Sequence, residues 1–196
     1  MIVITFKLCH IRANLFHGNP KTNLVAVGDQ VEIDTAYAGE AGWILKLLPR
    51  RTMLSRRQSV SSSEQVLASN VDKVLVVASL SSPPFRNVLV DRLFVAGSLG
   101  GLENVLILSK ADLSTKEEIT SIKNLYLSLG YKILVTSVPE SRGIDSLREL
   151  LNKNTSVLCG HSGVGKSSLI KALYPNWEIR IGDVSRKSGR GRHITR

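Results

Sequence analysis

The stretch Gly160-His161-Ser162-Gly163-Val164-Gly165-Lys166-Ser167 matches the phosphate-binding pattern G-x-x-x-x-G-K-[ST] at every fixed position. In this pattern the glycines let backbone N–H groups turn inward around phosphates, and the helix that follows offers its positive N-terminal end to the same anion. Lys166 is expected to neutralise the β- and γ-phosphates of a bound nucleotide, and Ser167 is expected to hold Mg²⁺.

The residues on either side of this loop fit the same unit. Val157-Leu158-Cys159 is an apolar run typical of the buried strand before such a loop, and residues 168–173 resemble the helix that follows. A glycine-rich turn that matches by chance is the alternative, and this context argues against it. The sequence therefore predicts a P-loop placed late in the chain. Its candidate nucleotide-binding residues are Gly160, His161, Ser162, Gly163, Val164, Gly165, Lys166, Ser167 and Ser168.

Length and composition narrow the class of protein. A chain of 196 residues holds one ordinary domain plus a small one, and 43% hydrophobic with 21% charged residues is typical of a globular protein. The net charge of +10 favours a polyanionic partner such as nucleic acid, although basic surfaces also occur without one. Two cysteines, Cys9 and Cys159, exclude a disulfide framework and fit a reducing compartment. No apolar run approaches the ~18–20 residues of a membrane span, so we expect a soluble cytoplasmic protein without membrane contact.

The second part of the chain, residues 71–196, alternates apolar runs with helix-length amphipathic segments. Continuous apolar runs bounded by turn residues predict strands buried on both faces. Alternation of such strands with helices predicts a parallel sheet with right-handed crossovers. The predicted strands are at 74–78, 105–108, 133–135 and 157–159, and the predicted helices at 87–99, 116–129 and 144–152.

Residues 1–57 have the pattern of a small all-β domain followed by a polar linker at 58–70, which is rich in Ser and Gln. Three or four strands are expected before Pro49-Arg50-Arg51 ends the unit. A closed barrel takes five, so the prediction is an OB-fold-like domain that is incomplete at its N-terminus. Its basic residues suit either a nucleic-acid face or an ordinary solvated surface. They include Lys7, His10, Arg12, Lys21, Lys46, Arg50, Arg51, Arg56 and Arg57.

Two further motifs follow predicted strands of the second domain. Ser109-Lys110-Ala111-Asp112 has the spacing of N-K-x-D, in which the carboxylate accepts hydrogen bonds from guanine and the lysine stem lies over the base. Alone it is a weak signal, since Asp112 also suits a helix N-cap. Thr136-Ser137-Val138 is similar to the S-A loop, in which a backbone N–H contacts guanine O6. Ser109, Lys110, Asp112, Ser137 and Val138 are therefore the candidate base-binding residues.

The two base-reading loops, at residues 109–112 and 136–138, precede the phosphate loop in the chain. A classical GTPase has the phosphate loop first, so the motif order here is circularly permuted. In this the chain resembles the circularly permuted GTPases of small-ribosomal-subunit biogenesis, the RsgA type. The resemblance extends from about residue 7 to the last residue. It includes Val27-Gly28-Asp29-Gln30-Val31, Leu48-Pro49-Arg50-Arg51, Ala68-Ser69-Asn70-Val71-Asp72, Asp91-Arg92-Leu93 and residues 188–196, which resemble the switch segment G-R-G-R-H-T-T.

The resemblance implies an α/β fold, with a permuted and incomplete P-loop GTPase-like parallel sheet preceded by a small all-β OB-like barrel. It also implies binding of GTP and GDP with Mg²⁺, hydrolysis of GTP to GDP, and the small ribosomal subunit with its rRNA as partner. The intact protein is expected to be a monomer. In the switch segment, Thr195 is implied as the Mg²⁺- and γ-phosphate-sensing residue and His193 as a group that positions water. A basic tail that binds phosphate without specificity is the alternative for this segment.

The chain departs from the family pattern at several points. Ser109 replaces Asn or Thr, Ile194 replaces the first switch threonine, and neither a D-x-x-G motif nor the family's zinc-binding region is present. We expect a chain shortened at both ends, with GTP hydrolysis slowed because D-x-x-G helps to stabilise transition-state charge. The phosphate-loop strand is then expected to be an apolar edge strand, and the chain marginally stable or prone to aggregate.

Two other functions remain open at this point. One is a non-catalytic rRNA-binding remnant, which the absence of D-x-x-G and the net charge of +10 favour. The other is an ATP-dependent P-loop phosphotransferase, which the phosphate loop alone permits and the guanine motifs disfavour.

Overall fold

The computed structural model describes residues 8–11, 25–34, 41–57 and 64–177. The chain divides into two compact units, Met1–Val71 and Asp72–Arg196. The first unit is a small β structure and the second is a parallel α/β sheet, in agreement with the predicted fold class. Among the described residues, no helix is long and apolar enough to cross a membrane.

The first unit contains five described strands in two small sheets. In one sheet the middle strand pairs with a parallel neighbour on one side and an antiparallel neighbour on the other. The other sheet is an antiparallel pair. The first sheet comprises β1 (Leu8–Ile11), β2 (Val31–Asp34) and the middle strand β3 (Ala41–Leu47), and the second comprises β4 (Met53–Arg57) and β5 (Glu64–Ser69).

The predicted linker is wrong for its last part. Residues 64–69 form β5, which pairs with β4, so the β unit continues past Pro49-Arg50-Arg51 and past residue 57. Val66 and Ala68 are 3% and 6% exposed, whereas Leu67 between them is 38% exposed. Alternate residues thus bury one face of the strand. This burial favours strand formation despite the polar composition of the surrounding sequence.

A buried ion pair ties three segments of the first unit together. Arg50 donates from Nε to Asp29 Oδ1 at 2.7 Å and from Nη2 to Asp29 Oδ2 at 2.8 Å. Ser69 Oγ and the Ala26 N–H donate to the same carboxylate at 2.6 and 2.7 Å. The Arg50 side chain is only 14% exposed and its carboxylate partner fully buried. The guanidinium of Arg50 is therefore bound within the fold, and Arg50 no longer belongs among the candidate nucleic-acid-binding residues.

The second unit is a four-stranded parallel sheet in the order β8-β7-β6-β9. Strands alternate with helices along the chain, as predicted. The elements are β6 (Lys73–Ser79), α1 (Asn87–Leu99), β7 (Glu103–Ser109), α2 (Lys116–Ser128), β8 (Lys132–Val135), α3 (Ile144–Leu151), β9 (Ser156–Cys159) and α4 (Lys166–Leu173).

Burial differs between the central and outer strands. β6 and β7 are almost wholly buried, whereas β8 and β9 are mostly half-buried, so burial on both faces holds only for the central pair. The reason is position: in the described part of the chain, β8 and β9 are the outer strands. Within the described residues, the phosphate-loop strand β9 thus lies at an edge of the sheet, as expected. The hydrophobic core of the second unit includes Leu75, Val77, Val105, Ile107, Ile144, Leu147, Val164, Leu169 and Leu173.

Helix ends follow local sequence signals. At the start of α2 the Thr115 side chain accepts from the Glu118 N–H, and the Glu118 side chain accepts from the Thr115 N–H, which is a capping box. At its end Gly130 has φ +84°, a conformation that glycine adopts without strain. The predicted helix boundaries at 116–129 and 144–152 each exceed the observed helix by one residue.

Candidate nucleotide-binding site

The four parallel strands of the second unit bring their following loops to one edge of the sheet. β6, β7, β8 and β9 end at Ser79, Ser109, Val135 and Cys159, and each motif predicted from sequence follows one of these ends. Ligands of open α/β sheets bind outside the carboxyl ends of the strands. The permuted motif order therefore leaves the loops free to meet at one site.

The phosphate loop is shaped by glycines in backbone conformations that other residues rarely adopt. Gly160 has φ +148°, and a Cβ built on it would lie 2.1 Å from the Val77 carbonyl oxygen of β6. Gly163 and Gly165 have φ +83° and +97°. These conformations turn the chain sharply between β9 and α4, where the N–H groups of the first helical turn have no intrahelical acceptor. The loop can therefore offer several N–H donors to one anion.

Lys166 lies across the mouth of this loop. Its Nζ donates to the carbonyl oxygens of Gly160 at 3.0 Å and His161 at 2.8 Å. Burial lowers the pKa of the Lys166 ammonium, with a smaller opposing effect from Cys159, and burial raises the pKa of the Cys159 thiol. A buried cation with a lowered pKa is stabilised when an anion binds beside it. The geometry and the electrostatics both suit phosphate.

Ser109 links the predicted base-reading motif to the phosphate loop. Its hydroxyl lies 2.6 Å from the Val164 carbonyl oxygen and 3.1 Å from that of Ala78, and the residue is 2% exposed. A hydroxyl donates one hydrogen, which serves the nearer acceptor best. The residue that replaces the usual Asn or Thr thus binds the backbone of the loop.

The two base-reading loops are joined to each other. Ser137 Oγ donates to Asp112 Oδ1 at 2.5 Å, and the Ala111 N–H donates to the Thr136 carbonyl at 3.0 Å. The Thr136 N–H in turn donates to Leu108 of β7 at 2.7 Å. Thr136 and Ser137 are both fully buried, whereas Asp112 is exposed. The buried pair therefore holds an exposed carboxylate in a fixed position.

A cavity of about 270 Å³ lies where the three motifs meet. It brings together the predicted residues Ser109, Lys110, Asp112 and Val138 with the phosphate-loop and helix residues Gly165 and Ser168. Sequence analysis did not select four further lining residues, Leu113, Thr136, Pro139 and Leu169. Thr136 opens one of the quoted motifs, and the other three lie one or two positions from a motif and have no distinctive chemistry.

Other predicted residues occupy different places. Gly160, His161 and Val164 line a small cleft beside α1, and His161 Nδ1 is 2.8 Å from the Ser162 carbonyl oxygen. Ser167 is half-buried in the first turn of α4. The remaining predictions, His193 and Thr195, lie outside the described residues.

Sequence reasoning also missed a turn that contacts the site. Lys110 Nζ donates to the Ser82 carbonyl oxygen at 2.7 Å, and Ser82 lies in the turn between β6 and α1. The only sequence signal was the pair Pro83-Pro84, which marks a turn without indicating a function.

Comparison with known proteins places this geometry in a family. The family model described as RsgA GTPase matches residues 47–196. The chain is 43% identical over 169 residues to the small ribosomal subunit biogenesis GTPase RsgA of Moorella thermoacetica, covering 86% of this chain and 54% of that protein. It is 38% identical over 187 residues to the protein of the same name from Chlorobaculum parvum, covering 90% of this chain and 60% of the relative.

Solved structures give the same picture. The crystal structure of YjeQ from Thermotoga maritima aligns with a TM-score of 0.66 at 30% identity, over 88% of this chain and 58% of that one. YloQ, described as a circularly permuted GTPase, aligns with a TM-score of 0.56 at 28% identity, over 93% of this chain and 60% of that one. The predicted permuted GTPase-like fold is confirmed by these matches. The chain spans somewhat more than half the length of the relatives it matches.

Proposed function

The chain belongs to the RsgA GTPase family, and from that membership we propose that it binds GTP and GDP between its phosphate loop and its two base-reading loops. The observation that carries the proposal is the shared cavity of about 270 Å³, which Lys110 and Asp112 line together with Gly165 and Ser168. A nucleotide needs a base site and a phosphate site at a fixed separation. This cavity begins at the base motif and ends at the phosphate loop.

Each residue has a role that its chemistry suits. Asp112, held by Ser137, accepts hydrogen bonds from the N1–H and the exocyclic amine of guanine. Adenine does not present this pair of donors side by side. The stem of Lys110 lies along the base. In the loop at Ser137 and Val138, the N–H of Ser137 already donates to the Arg142 carbonyl at 3.0 Å, so the N–H of Val138 is the one that donates to guanine O6. At the other end, Lys166 and the loop N–H groups bind the phosphates.

The hydroxyl of Ser167 fits a magnesium ligand because it lies half-buried in the first turn of α4, beside the glycines that shape the phosphate loop. Mg²⁺ bound there would offset the charge of the β- and γ-phosphates. We further propose that Thr195 supports the same ion and that His193 positions the attacking water.

The proposed activity of the whole protein is hydrolysis of GTP to GDP and phosphate, coupled to the small ribosomal subunit and its rRNA. The relatives that the chain matches are named as GTPases of small-subunit biogenesis. We place the protein in the cytoplasm, as a monomer.

Competition binding tests the nucleotide assignment. Fluorescent GDP bound to the chain should be displaced by GTP and GDP at similar concentrations, and by ATP only at concentrations at least ~100-fold higher. Lys166→Ala should remove binding, whereas Lys171→Ala, an exposed lysine of the same helix, should leave it unchanged. Displacement by ATP as effective as by GTP would show that the site does not select guanine, and the assignment would be wrong.

A second candidate function is rRNA binding by the first unit without nucleotide. The net charge of +10 and the exposed side chains of Lys46 and Arg56 favour it, as does the ring of His10 lying 5.1 Å from that of Trp43. Binding to small-subunit rRNA that weakens with salt and is unaffected by Lys166→Ala would support this function independently of nucleotide.

A further inference from the structure

Two buried serines end the two central strands of the sheet. Ser79 of β6 and Ser109 of β7 are partners in the strand register, and they are 1% and 2% exposed. Both hydroxyls are removed from water, so each needs a hydrogen-bond partner within the protein. Each finds that partner in a loop beside the candidate site.

The two serines bind different loops. Ser109 donates to Val164 of the phosphate loop at 2.6 Å. Ser79 donates at 2.5 Å to the carbonyl oxygen of Pro83, in the turn that follows its own strand. The candidate site already gives Ser109 a place between the base motif and the phosphate loop. It leaves Ser79 without a role.

The turn that Ser79 holds is closed by several contacts. Residues Ser81 and Pro84 form an isolated antiparallel bridge, and the Phe85 N–H donates to the Leu80 carbonyl at 3.3 Å. The bond from Ser79 to the Pro83 carbonyl attaches this closed turn to the buried end of the central strand. Loss of that bond would therefore loosen the attachment of the whole turn to β6.

The same turn faces the candidate site. The Ser82 carbonyl accepts from Lys110 Nζ at 2.7 Å, and Pro83 Cδ lies 3.7 Å from where a Cβ on Gly163 would be. Lys110 Cε in turn lies 3.8 Å from where a Cβ on Gly165 would be. The stem of Lys110 thus runs past the phosphate loop to an acceptor on the turn. A lysine stem that is fixed before the ligand arrives loses less conformational entropy on binding.

We propose that Ser79 is a positioning residue for base recognition, acting through the turn at residues 81–84 to hold Lys110 alongside the cavity. This inference rests on the proposed function, because it assumes that a guanine base occupies that cavity. Ser79 itself does not touch the nucleotide. Its effect reaches the base through the Pro83 carbonyl, the Ser82 carbonyl and the ammonium of Lys110 in sequence.

A double-mutant cycle on GDP binding tests the proposal. Ser79→Ala should raise the Kd for GDP about fivefold, the usual effect of losing one buried neutral hydrogen bond. Lys110→Met keeps the stem but removes the ammonium, and it should raise the Kd about tenfold because that bond involves a charge. In the Lys110→Met background, Ser79→Ala should add less than about twofold, since the chain of contacts is already broken.

Pyrophosphate binding distinguishes a specific role of Ser79 from a general structural one. A variant that disturbed the whole site would weaken binding of pyrophosphate as well as of GDP. Pyrophosphate occupies only the phosphate loop, so Ser79→Ala should change its Kd by less than about twofold. Ser128→Ala, which removes a hydroxyl bond on the remote helix α2, is the matched control and should leave both Kd values unchanged. If Ser79→Ala fails to fold, Ser79→Cys fills the same space with a weaker donor and should show the same selective loss.

The outcomes separate this inference from the function on which it rests. Failure of the unsubstituted chain to bind GDP overturns both. GDP binding that is unaffected by Ser79→Ala, an additive double mutant, or an equal loss of GDP and pyrophosphate affinity overturns the role of Ser79 alone. A selective, non-additive loss of GDP affinity supports it.

Discussion

The hydroxyl of Ser137 donates a 2.5 Å hydrogen bond to Oδ1 of Asp112. Ser137 is fully buried, and its Oγ also accepts from the Glu140 backbone nitrogen at 3.4 Å. These contacts restrict the orientation of the Ser137 hydroxyl. Asp112 is exposed and would otherwise rotate freely. The pair therefore orients the carboxylate that the proposed function assigns to guanine.

Removal of this hydroxyl should weaken guanine binding more than it weakens the fold. Ser137→Ala leaves the Asp112 carboxylate in water, where it remains solvated, so the cost appears as lost orientation. We expect the Kd for GDP to rise about fivefold by isothermal titration calorimetry. Ser146→Ala, at an exposed position on α3, should have no effect. An unchanged Kd for the Ser137 variant would show that the hydrogen bond does not orient the carboxylate.

Gly160 and Gly130 form a matched pair for testing the phosphate loop. Both have positive φ, but a Cβ on Gly160 meets the Val77 carbonyl at 2.1 Å, whereas a Cβ on Gly130 meets nothing within 4 Å. Gly130→Ala should cost ~1 kcal/mol of unfolding free energy from backbone strain alone and leave GDP binding intact. Gly160→Ala should cost more and abolish pyrophosphate binding. Equal effects in urea denaturation would mean that close approach to β6 is unimportant.

Glu103 gives the second unit a defined pH dependence. Hydrogen bonds from Lys132 and then Lys73 lower the pKa of Glu103 below its ordinary value of 4.5, against an opposing effect of burial. The ionised carboxylate therefore stabilises the fold above pH 4.5, and this contribution is lost as pH falls through the folded-state pKa.

Glu103→Gln should accordingly lower the unfolding free energy by about 1 kcal/mol at pH 7. The difference from the unsubstituted chain should shrink steadily in denaturation curves measured below pH 4.5. Glu149→Gln, at an exposed position on α3, should show no such convergence. A difference that stays constant across this range would contradict the ion-pair account.

A hydrogen bond between Tyr126 and Asp91 joins helices α1 and α2. The Tyr126 hydroxyl donates to Asp91 Oδ1 at 2.8 Å, and burial, together with Asp91, raises the pKa of Tyr126, so the hydroxyl stays protonated. Tyr126→Phe keeps the ring contacts with Phe85 and Phe94 and should cost about 1 kcal/mol in thermal or chemical unfolding. Tyr174→Phe, at an exposed ring, is the control. A loss equal to that of the control would remove the role we give to Asp91.

The sequence predicted the parts of the fold whose signals are local. The phosphate loop follows from its glycine spacing, and the central strands follow from runs such as Val74–Ala78 that are apolar throughout. The β5 strand was missed because its signal is only the alternation of Val66 and Ala68 within a Ser- and Gln-rich stretch. Its pairing with β4 across residues that carry no hairpin signature is a tertiary effect.

The candidate site was predictable as a set of motifs but not as a set of contacts. Lys110, Asp112 and the phosphate loop were identified by residue type and spacing. The hydrogen bond from Ser109 to Val164 spans 55 positions, and that from Lys110 to Ser82 ends on a backbone carbonyl, which any residue would supply. Arg50 was placed among basic residues expected at the surface, on either a nucleic-acid face or an ordinary solvated one, because a sequence does not show its buried ion pair with Asp29.

Guanine recognition by Asp112 is the central claim, and exchange of its acceptor for a donor tests it most directly. Xanthine carries a carbonyl where guanine carries its exocyclic amine, so Asp112→Asn should weaken GDP binding by about 100-fold or more and strengthen binding of xanthosine diphosphate. Asp145→Asn, on the exposed face of α3, should bind GDP as the unsubstituted chain does. Calorimetric titration of the Asp112→Asn chain with both nucleotides should therefore show the preference reversed, and retention of GDP binding without any gain for xanthosine diphosphate would contradict the assignment.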